Sequence, residues 1–302
     1  MDSGAVASDS RQETRAKRAS TTAVLAAAIR ASHLRWHQPP IVADTYAIHM
    51  ITPFWRLVAN NWAMNRIIVH RLLKQFKPIH TENILRLRFA EDHLREAVAA
   101  GARQYVILGA GLDSFCLRQG DLAGRLRIFE VDRPASQDLK RDKLLSINGH
   151  LPANLVFTPV DFETERLDEA LTRAGYDTAV PAFFSWLGTS YYLTRDAVRD
   201  TFGRIGAVAA PGTQVALDYK YPRHLVPADG LLFADKLDQF VAKRGEPMLS
   251  MFTPDELNTE LRRAGFTELD HVSPEQQARR YLAGRSDMTA PAPNFAFALF
   301  AA

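Results

Sequence analysis

The chain is nearly free of cysteine. Cys116 stands alone among 302 residues, so no intramolecular disulfide can form, and the chain suits a reducing compartment such as the cytoplasm. No apolar run approaches the ~18 residues of a membrane span, and no membrane partner is expected. The N-terminal stretch MDSGAVASDSRQETRAKRAS lacks the apolar core of a secretory signal. A strong charge of one sign is missing too: 37 Lys and Arg against 34 Asp and Glu leave a formal +3. A pI near 9.0, without a basic run interleaved with aromatics, is too mild to point to nucleic acid. The nine histidines include no H-E-x-x-H pair and the lone cysteine has no partner, so no metal site is expected. No G-x-S-x-G elbow supplies a hydrolase nucleophile. No G-x-x-x-x-G-K-[ST] loop supplies a phosphate cradle.

What remains is an ordinary globular composition, 47% hydrophobic and 24% charged, enough for a sizeable core. Residues 1–19 read as a flexible arm without apolar anchors. Residues 20–302 read as a single domain, with a helical cap over 20–100 and a ligand-binding core over 101–302. Ser20 is placed to cap the Ala-rich helix TTAVLAAAIRASHL, which Pro39 and Pro40 interrupt. Apolar spacing resumes in WAMNRIIVHRLLKQF, with Ile67, Ile68, Leu72 and Leu73 at helical intervals. Pro78 is expected to stop that run, and Thr81 to open the next helix, ENILRLRFAEDHLREAVAA, which ends at Gly101.

After Gly101 short apolar runs alternate with amphipathic segments. YVILGAG, LRIFEVD, NLVFTPVDF, PAFFSWLG and TQVALDY have strand length, and helical patterns separate most of them. Strands apolar at nearly every residue are buried on both faces, so the pattern predicts an α/β fold with a mostly parallel, helix-covered sheet. FTELDHV and NFAFALFAA add two strands. Thr253-Pro254-Asp255-Glu256 carries a helix start with a capping box. The proline-bearing stretch 221–250 reads as an insertion near the ligand mouth. The charge run LKRDKLL reads as a solvated helix face with its leucines inward, and Cys116 as a small packing residue.

Parallel sheets bind ligands beyond the carboxyl ends of their strands. Gly109-Ala110-Gly111 lies at such an end, where glycine lets backbone turn tightly and approach a ligand. The next strand ends in Glu130 and Asp132, 21 and 23 residues beyond Gly109, a spacing at which an acid can hold ribose hydroxyls. The third strand ends in Asp161-Phe162, an acid for an exocyclic amine and a ring for a base. Together the three strand ends describe a nucleoside pocket. NAD would prefer a third glycine at Ser114, and Asp113 would repel its diphosphate. An adenosine cofactor with a positive centre and no phosphate fits better, and S-adenosylmethionine is such a molecule.

The segments STTAVLAAAIRA, RLRFAEDHL, RQYVILGAGLDSFCLR, FEVDRPASQDLKRDKL, PVDFE, PAFFSWLGTSYYLT and FTPDEL resemble the leucine carboxyl methyltransferase-like group of S-adenosylmethionine-dependent methyltransferases, over roughly residues 20–300. That group includes bacterial polyketide O-methyltransferases and enzymes that methylate a phosphatase's C-terminal leucine. The resemblance implies a Rossmann-like fold with a seven-stranded sheet and an antiparallel last strand. It implies that Gly109 and Gly111, with Ala110 between them, pass the cofactor's methionine part. Arg86 would pair with its carboxylate, with Arg88 as the nearby alternative. Asp132 would hold the ribose with Glu130 behind it, and Asp161 and Phe162 the adenine. Many members carry Glu-Gly after the fourth strand; this chain has Leu187-Gly188, and backbone near Ser185 could replace the missing contact. Tyr191, Tyr192 and Tyr219 are expected near the acceptor, without a catalytic role assigned. The implied function is O-methylation of a small-molecule carboxylate or hydroxyl. A dehydrogenase, a non-enzymatic cofactor-binding protein on this fold and a protein carboxyl methyltransferase are the alternatives. No sequence signal sets the oligomeric state.

Overall fold

The computed structural model describes residues 22–302. The arm expected over 1–19 and the cap expected at Ser20 lie outside the described residues. Five helices precede the sheet: α1 (22–36), α2 (Ala47–Met50), α3 (Pro53–Asn60), α4 (Trp62–Ile67) and α5 (Lys77–Ala99). Strands and helices then alternate as β1 (Gln104–Leu108), β2 (Arg127–Asp132), α6 (Pro134–Asn148), β3 (Leu155–Pro159), α7 (Leu167–Arg173), β4 (Ala182–Trp186), α8 (Arg195–Val208) and β5 (Gln214–Lys220). The chain closes with α9 (Leu231–Ala242), α10 (Pro254–Arg263), β6 (Thr267–Val272), α11 (Pro274–Tyr281) and β7 (Phe295–Ala301).

The seven strands run in the order β3-β2-β1-β4-β5-β7-β6. β1 to β5 are parallel, and β7 runs antiparallel between β5 and β6. The chain winds outward through β2 and β3, then returns to the other side of β1 to begin β4. The strand order therefore reverses between β1 and β4, and the crevice of such a sheet opens at the carboxyl ends there.

Alternation along each strand splits the core in two. Tyr105 and Ile107 of β1 join Phe183 of β4 and residues of α1 and α5 on one face. Val106 and Leu108 join Phe184, Trp186 and residues of α7, α8 and α10 on the other. All five residues of β1 are buried, which is why the strand reads as an unbroken apolar run.

Three local expectations are corrected. Pro78 starts α5 rather than stopping the run before it, because a proline in the first turn gives up an N–H that has no helical partner anyway. Thr81 accordingly lies inside α5. The run WAMNRIIVHRLLKQF does not continue as one helix: α4 ends at Ile67, and a π-turn (Ile68–Leu72) and a 3₁₀ turn (Lys74–Phe76) follow. Its apolar residues come in adjacent pairs about 100° apart around the axis. Ile68 and Leu73 turn inward, leaving Ile67 and Leu72 51% and 66% exposed. The LKRDKLL face is also not wholly solvated, since Lys140 is buried.

Candidate active site at the strand ends

β1 ends in a turn that only glycine accommodates. Gly109 and Gly111 take φ of 68° and 48°, in the left-handed region that penalises a Cβ. A Cβ on Gly109 would also lie 2.4 Å from the Thr189 side chain. The N–H groups of Gly109 and Ala110 both donate to the Val131 carbonyl, at 2.8 and 3.1 Å. The turn is thereby drawn across the end of β2. There the Asp132 carboxylate accepts from the N–H of Gly111 at 2.6 Å and of Arg133 at 2.7 Å. Burial raises the Asp132 pKa against the pull of those two donors. Each carboxylate oxygen keeps a lone pair for a hydroxyl.

A cavity of about 870 Å³ opens over this edge. It brings together Arg86, Gly109, Ala110, Gly111, Asp132, Phe162, Ser185 and Tyr192. The Phe162 ring stacks toward Trp186, centroids 6.1 Å apart, and the Ser185 hydroxyl meets the Tyr105 hydroxyl at 2.9 Å. Five other residues singled out in the sequence do not line the cavity. Glu130 is fully buried one step down β2, paired with Lys140 at 2.5 Å. Asp161 sits on a partly exposed turn after β3, 3.7 Å from Arg133, and accepts from the N–H of Glu163. Tyr191 is buried behind Arg86, whose guanidinium donates to its hydroxyl at 3.2 Å. Tyr219 points away and meets His271 at 2.7 Å. Arg88, the alternative to Arg86, is taken up by Asp92 at 2.8 Å.

Residues that no short motif marked complete the walls. α1 supplies Thr22, Ala23, Ala26 and Arg30, and the strap after α9 supplies Gly245, Glu246, Pro247 and Leu249. The two are tied by the Thr22 hydroxyl, which donates to Glu246 at 2.6 Å. Arg30 donates to Asp44 at 2.7 Å and to the Leu112 carbonyl at 2.6 Å. Asp44 also accepts from the Ser114 hydroxyl at 2.6 Å, which fixes α1 to the glycine turn. Burial pushes the Asp44 carboxyl up, but Arg30 and Arg118 outweigh it and hold the group below the usual range. An arginine inside the Ala-rich helix pattern was the one available signal for Arg30. The strap carried none beyond its prolines. Leu187 lines the cavity, and Gly188 beside it leaves room for Arg86. Cys116 is buried, and burial pushes its thiol up.

The family model for leucine carboxyl methyltransferase matches residues 23–206. The chain belongs to the leucine carboxyl methyltransferase family. YktD of Bacillus subtilis, named as a candidate S-adenosyl-L-methionine-dependent methyltransferase, is 32% identical over 296 residues, covering 90% of this chain and 94% of that one. Rv1896c of Mycobacterium tuberculosis, named likewise, is 35% identical over 197 residues, covering 65% of this chain and 62% of that one. Among solved structures, a duf574 family protein from Streptomyces avermitilis superposes with a TM-score of 0.57 at 13% identity, over 90% of this chain and 96% of that one. A candidate methyltransferase from Thermobifida fusca gives 0.55 at 18% identity, over 88% and 98%. These two show the fold.

As a member of this family the protein is an S-adenosylmethionine-dependent methyltransferase, and the residues present fit that cofactor. Only Nη1 of Arg86 is bonded among the described residues, so its remaining N–H groups are left at the cavity wall. The Thr189 hydroxyl, also on that wall, is buried without a partner among the described residues. The described residues hold no cluster of three or more His, Cys, Asp or Glu suited to a metal. No described helix is long and apolar enough to cross a membrane.

Proposed function

We propose that this methyltransferase transfers a methyl group from S-adenosylmethionine to a carboxylate or hydroxyl oxygen of a small-molecule metabolite, of polyketide or similar character, in the cytoplasm. The observation that carries the reading is the single cavity at the switch point, which gathers the glycine turn, Asp132, Phe162 and Arg86. Its volume of about 870 Å³ falls toward the upper end of small-molecule sites, about 300–1,000 Å³, and leaves space for an acceptor beside the cofactor. The Thr22–Glu246 bond bridges its two walls, which favours an enclosed small guest over a long peptide.

In this reading Arg86 takes the cofactor's carboxylate, Gly109 to Gly111 pass its methionine part, Asp132 holds the ribose hydroxyls, and Phe162 covers the adenine with the Asp161 turn at its rim. Ser185 supplies floor beneath the glycine turn, and Tyr192 borders the acceptor. When bound, the cofactor supplies a carbon already activated by a sulfonium. The chain's own work is to align the acceptor oxygen and exclude water, and orientation of that kind can supply up to about 7–11 kcal/mol. A carboxylate acceptor needs no general base; a hydroxyl acceptor requires an acid or histidine within reach. Tyr191 and Tyr219, which lie outside the cavity, act as supports in this scheme.

Calorimetric titration with S-adenosylhomocysteine tests the assignment. The parent should bind, and Asp132→Ala should lose at least tenfold in affinity, about 1.4 kcal/mol or more. Equal binding by both would remove Asp132 from the ribose, and no binding by the parent would remove the cofactor site altogether.

A further inference from the structure

Arg86 is not alone behind the cavity wall. Glu82 precedes it by one helical turn on α5, and Asp218 comes from β5. Nη1 of Arg86 lies 3.1 Å from Asp218 Oδ2 and 3.6 Å from Glu82 Oε2, and both carboxylates are fully buried. The two carboxyl groups also lie against each other. If both were ionised, the cluster would carry a net negative charge away from water, an expensive state. The cofactor's carboxylate would then be a third anion around one guanidinium.

The hydrogen bonds distinguish the two acids. Asp218 is well supplied with donors: the Gly188 N–H at 2.6 Å on Oδ1 and Arg86 on Oδ2. Among the described residues Glu82 has no donor on either oxygen, because Arg86 at 3.6 Å is too far for a hydrogen bond. A buried carboxylate without a donor is unstable, whereas a carboxylic acid at the same place can donate to its ionised neighbour. The other titratable groups facing Glu82 are Tyr191 and Tyr192 from the turn after β4, and burial keeps both phenols neutral.

We propose that Glu82 is a positioning residue that holds a proton against Asp218, and that this proton lets Arg86 accept the carboxylate of the cofactor. The cluster is then neutral before the cofactor arrives. With the proton gone, it repels the cofactor's carboxylate and holds Arg86 more tightly against its own acids. This rests on the reading of Arg86 given under the proposed function. Burial first, and Asp218 second, raise the Glu82 carboxyl to about 8 against the opposing pull of Arg86. Only the protonated form binds well. Affinity is therefore full below that pH and falls as pH rises through it, approaching tenfold per unit.

The test is calorimetric titration of the full chain with S-adenosylhomocysteine from pH 6.5 to 9.5, in phosphate and in Tris, whose different ionisation enthalpies report protons taken up. The parent should weaken about tenfold per unit above pH ~8 while uptake approaches one proton per site. Glu82→Gln, in which a neutral amide replaces the neutral acid, should bind with little dependence on pH and take up no proton. The ligand's own amine titrates in both proteins, so the difference between them is the readout. Matching pH profiles in parent and variant would overturn the proposal. So would a folded Glu82→Gln, by circular dichroism, that no longer binds at pH 7. Should the variant fail to fold, the parent decides after the free ligand's own amine titration is subtracted: proton uptake and loss of affinity in excess of that amine support the proposal, and no excess overturns it. Binding without any pH dependence refutes only the role of Glu82; no binding at any pH refutes the cofactor site as well.

Discussion

Glu130 and Asp132 stand two residues apart on β2 and so point to the same face, yet the structure gives them different work. Asp132 closes the glycine turn, while Glu130, about 6.6 Å further down the strand, is sealed against Lys140 at 2.5 Å. Both fit the spacing window from Gly109, so spacing alone could not separate them, and only the family resemblance put Asp132 forward with Glu130 behind it. The deciding quantity was depth along the strand, and the inward Lys140 was hidden in a charge run that looked solvated. Removing one member of a buried pair strands the other charge, at about 3–5 kcal/mol. Glu130→Ala should lose that much stability in urea unfolding while the folded fraction still binds S-adenosylhomocysteine, because Glu130 does not touch the cavity. Lost affinity in folded protein would put Glu130 in the site after all. Gly188 makes a second residue-scale case. A Cβ there would lie 2.4 Å from Nη2 of Arg86, on a backbone with φ of 75°. Gly188→Ala should therefore weaken S-adenosylhomocysteine binding at least tenfold by displacing Arg86, measured by the same calorimetry; unchanged affinity would detach Arg86 from the cofactor.

At the scale of single elements, legibility followed the local chemistry. Thr253 was readable as a cap because Thr-Pro-Asp-Glu states its own hydrogen bonds. The Thr253 hydroxyl accepts from Glu256 N–H at 3.2 Å, and the Glu256 carboxylate accepts from Thr253 N–H at 2.9 Å. Ser273-Pro274-Glu275-Gln276 has the same form and opens α11 in the same way. Pro78 was ambiguous, since a proline bars a helix only from the preceding side and tertiary packing chose the following one. The five parallel strands were legible as apolar runs; 221–250 was read as an insertion near the ligand mouth, but which of its residues meet α1 was not legible, because those contacts are distant in sequence. Thr253→Ala removes one side-chain acceptor and leaves the Glu256 N–H to water. It should cost about 1 kcal/mol, within the 0.5–2 kcal/mol of such caps, seen as a lower urea midpoint with an unchanged slope. A change in slope would mean that α10 frays as a unit instead.

For the whole molecule, the question is how a guest enters a cavity roofed by two separate segments. Among the described residues the strap is held to the body by bonds from Leu249 and Ser250 N–H to the Tyr191 carbonyl at 2.7 and 3.3 Å, from the Ser250 hydroxyl to the Ser190 carbonyl at 3.0 Å, and from Thr22 to Glu246. Tyr191 also meets Arg86 through its hydroxyl, so the strap's anchor, the Tyr191 carbonyl, and the proposed carboxylate site share one residue. Gly245 to Leu249 line the cavity, and lifting them would strip contacts from whatever is bound. A cofactor in the cavity should therefore oppose strap opening. Just before the strap, Lys243 and Arg244 are exposed in a turn, which gives trypsin a local reporter. When opening and reclosing outpace cleavage, the rate follows the open population. At a ligand concentration of 100 Kd that population falls about hundredfold, or about 2.7 kcal/mol, if the open form does not bind. Cleavage after Lys243 and Arg244, followed by fragment mass, should slow by up to that factor with S-adenosylhomocysteine and hardly at all in Asp132→Ala at the same concentration. Equal rates with and without saturating ligand in the parent would mean that the strap moves independently of the cavity, and that entry to the site lies along α1 instead.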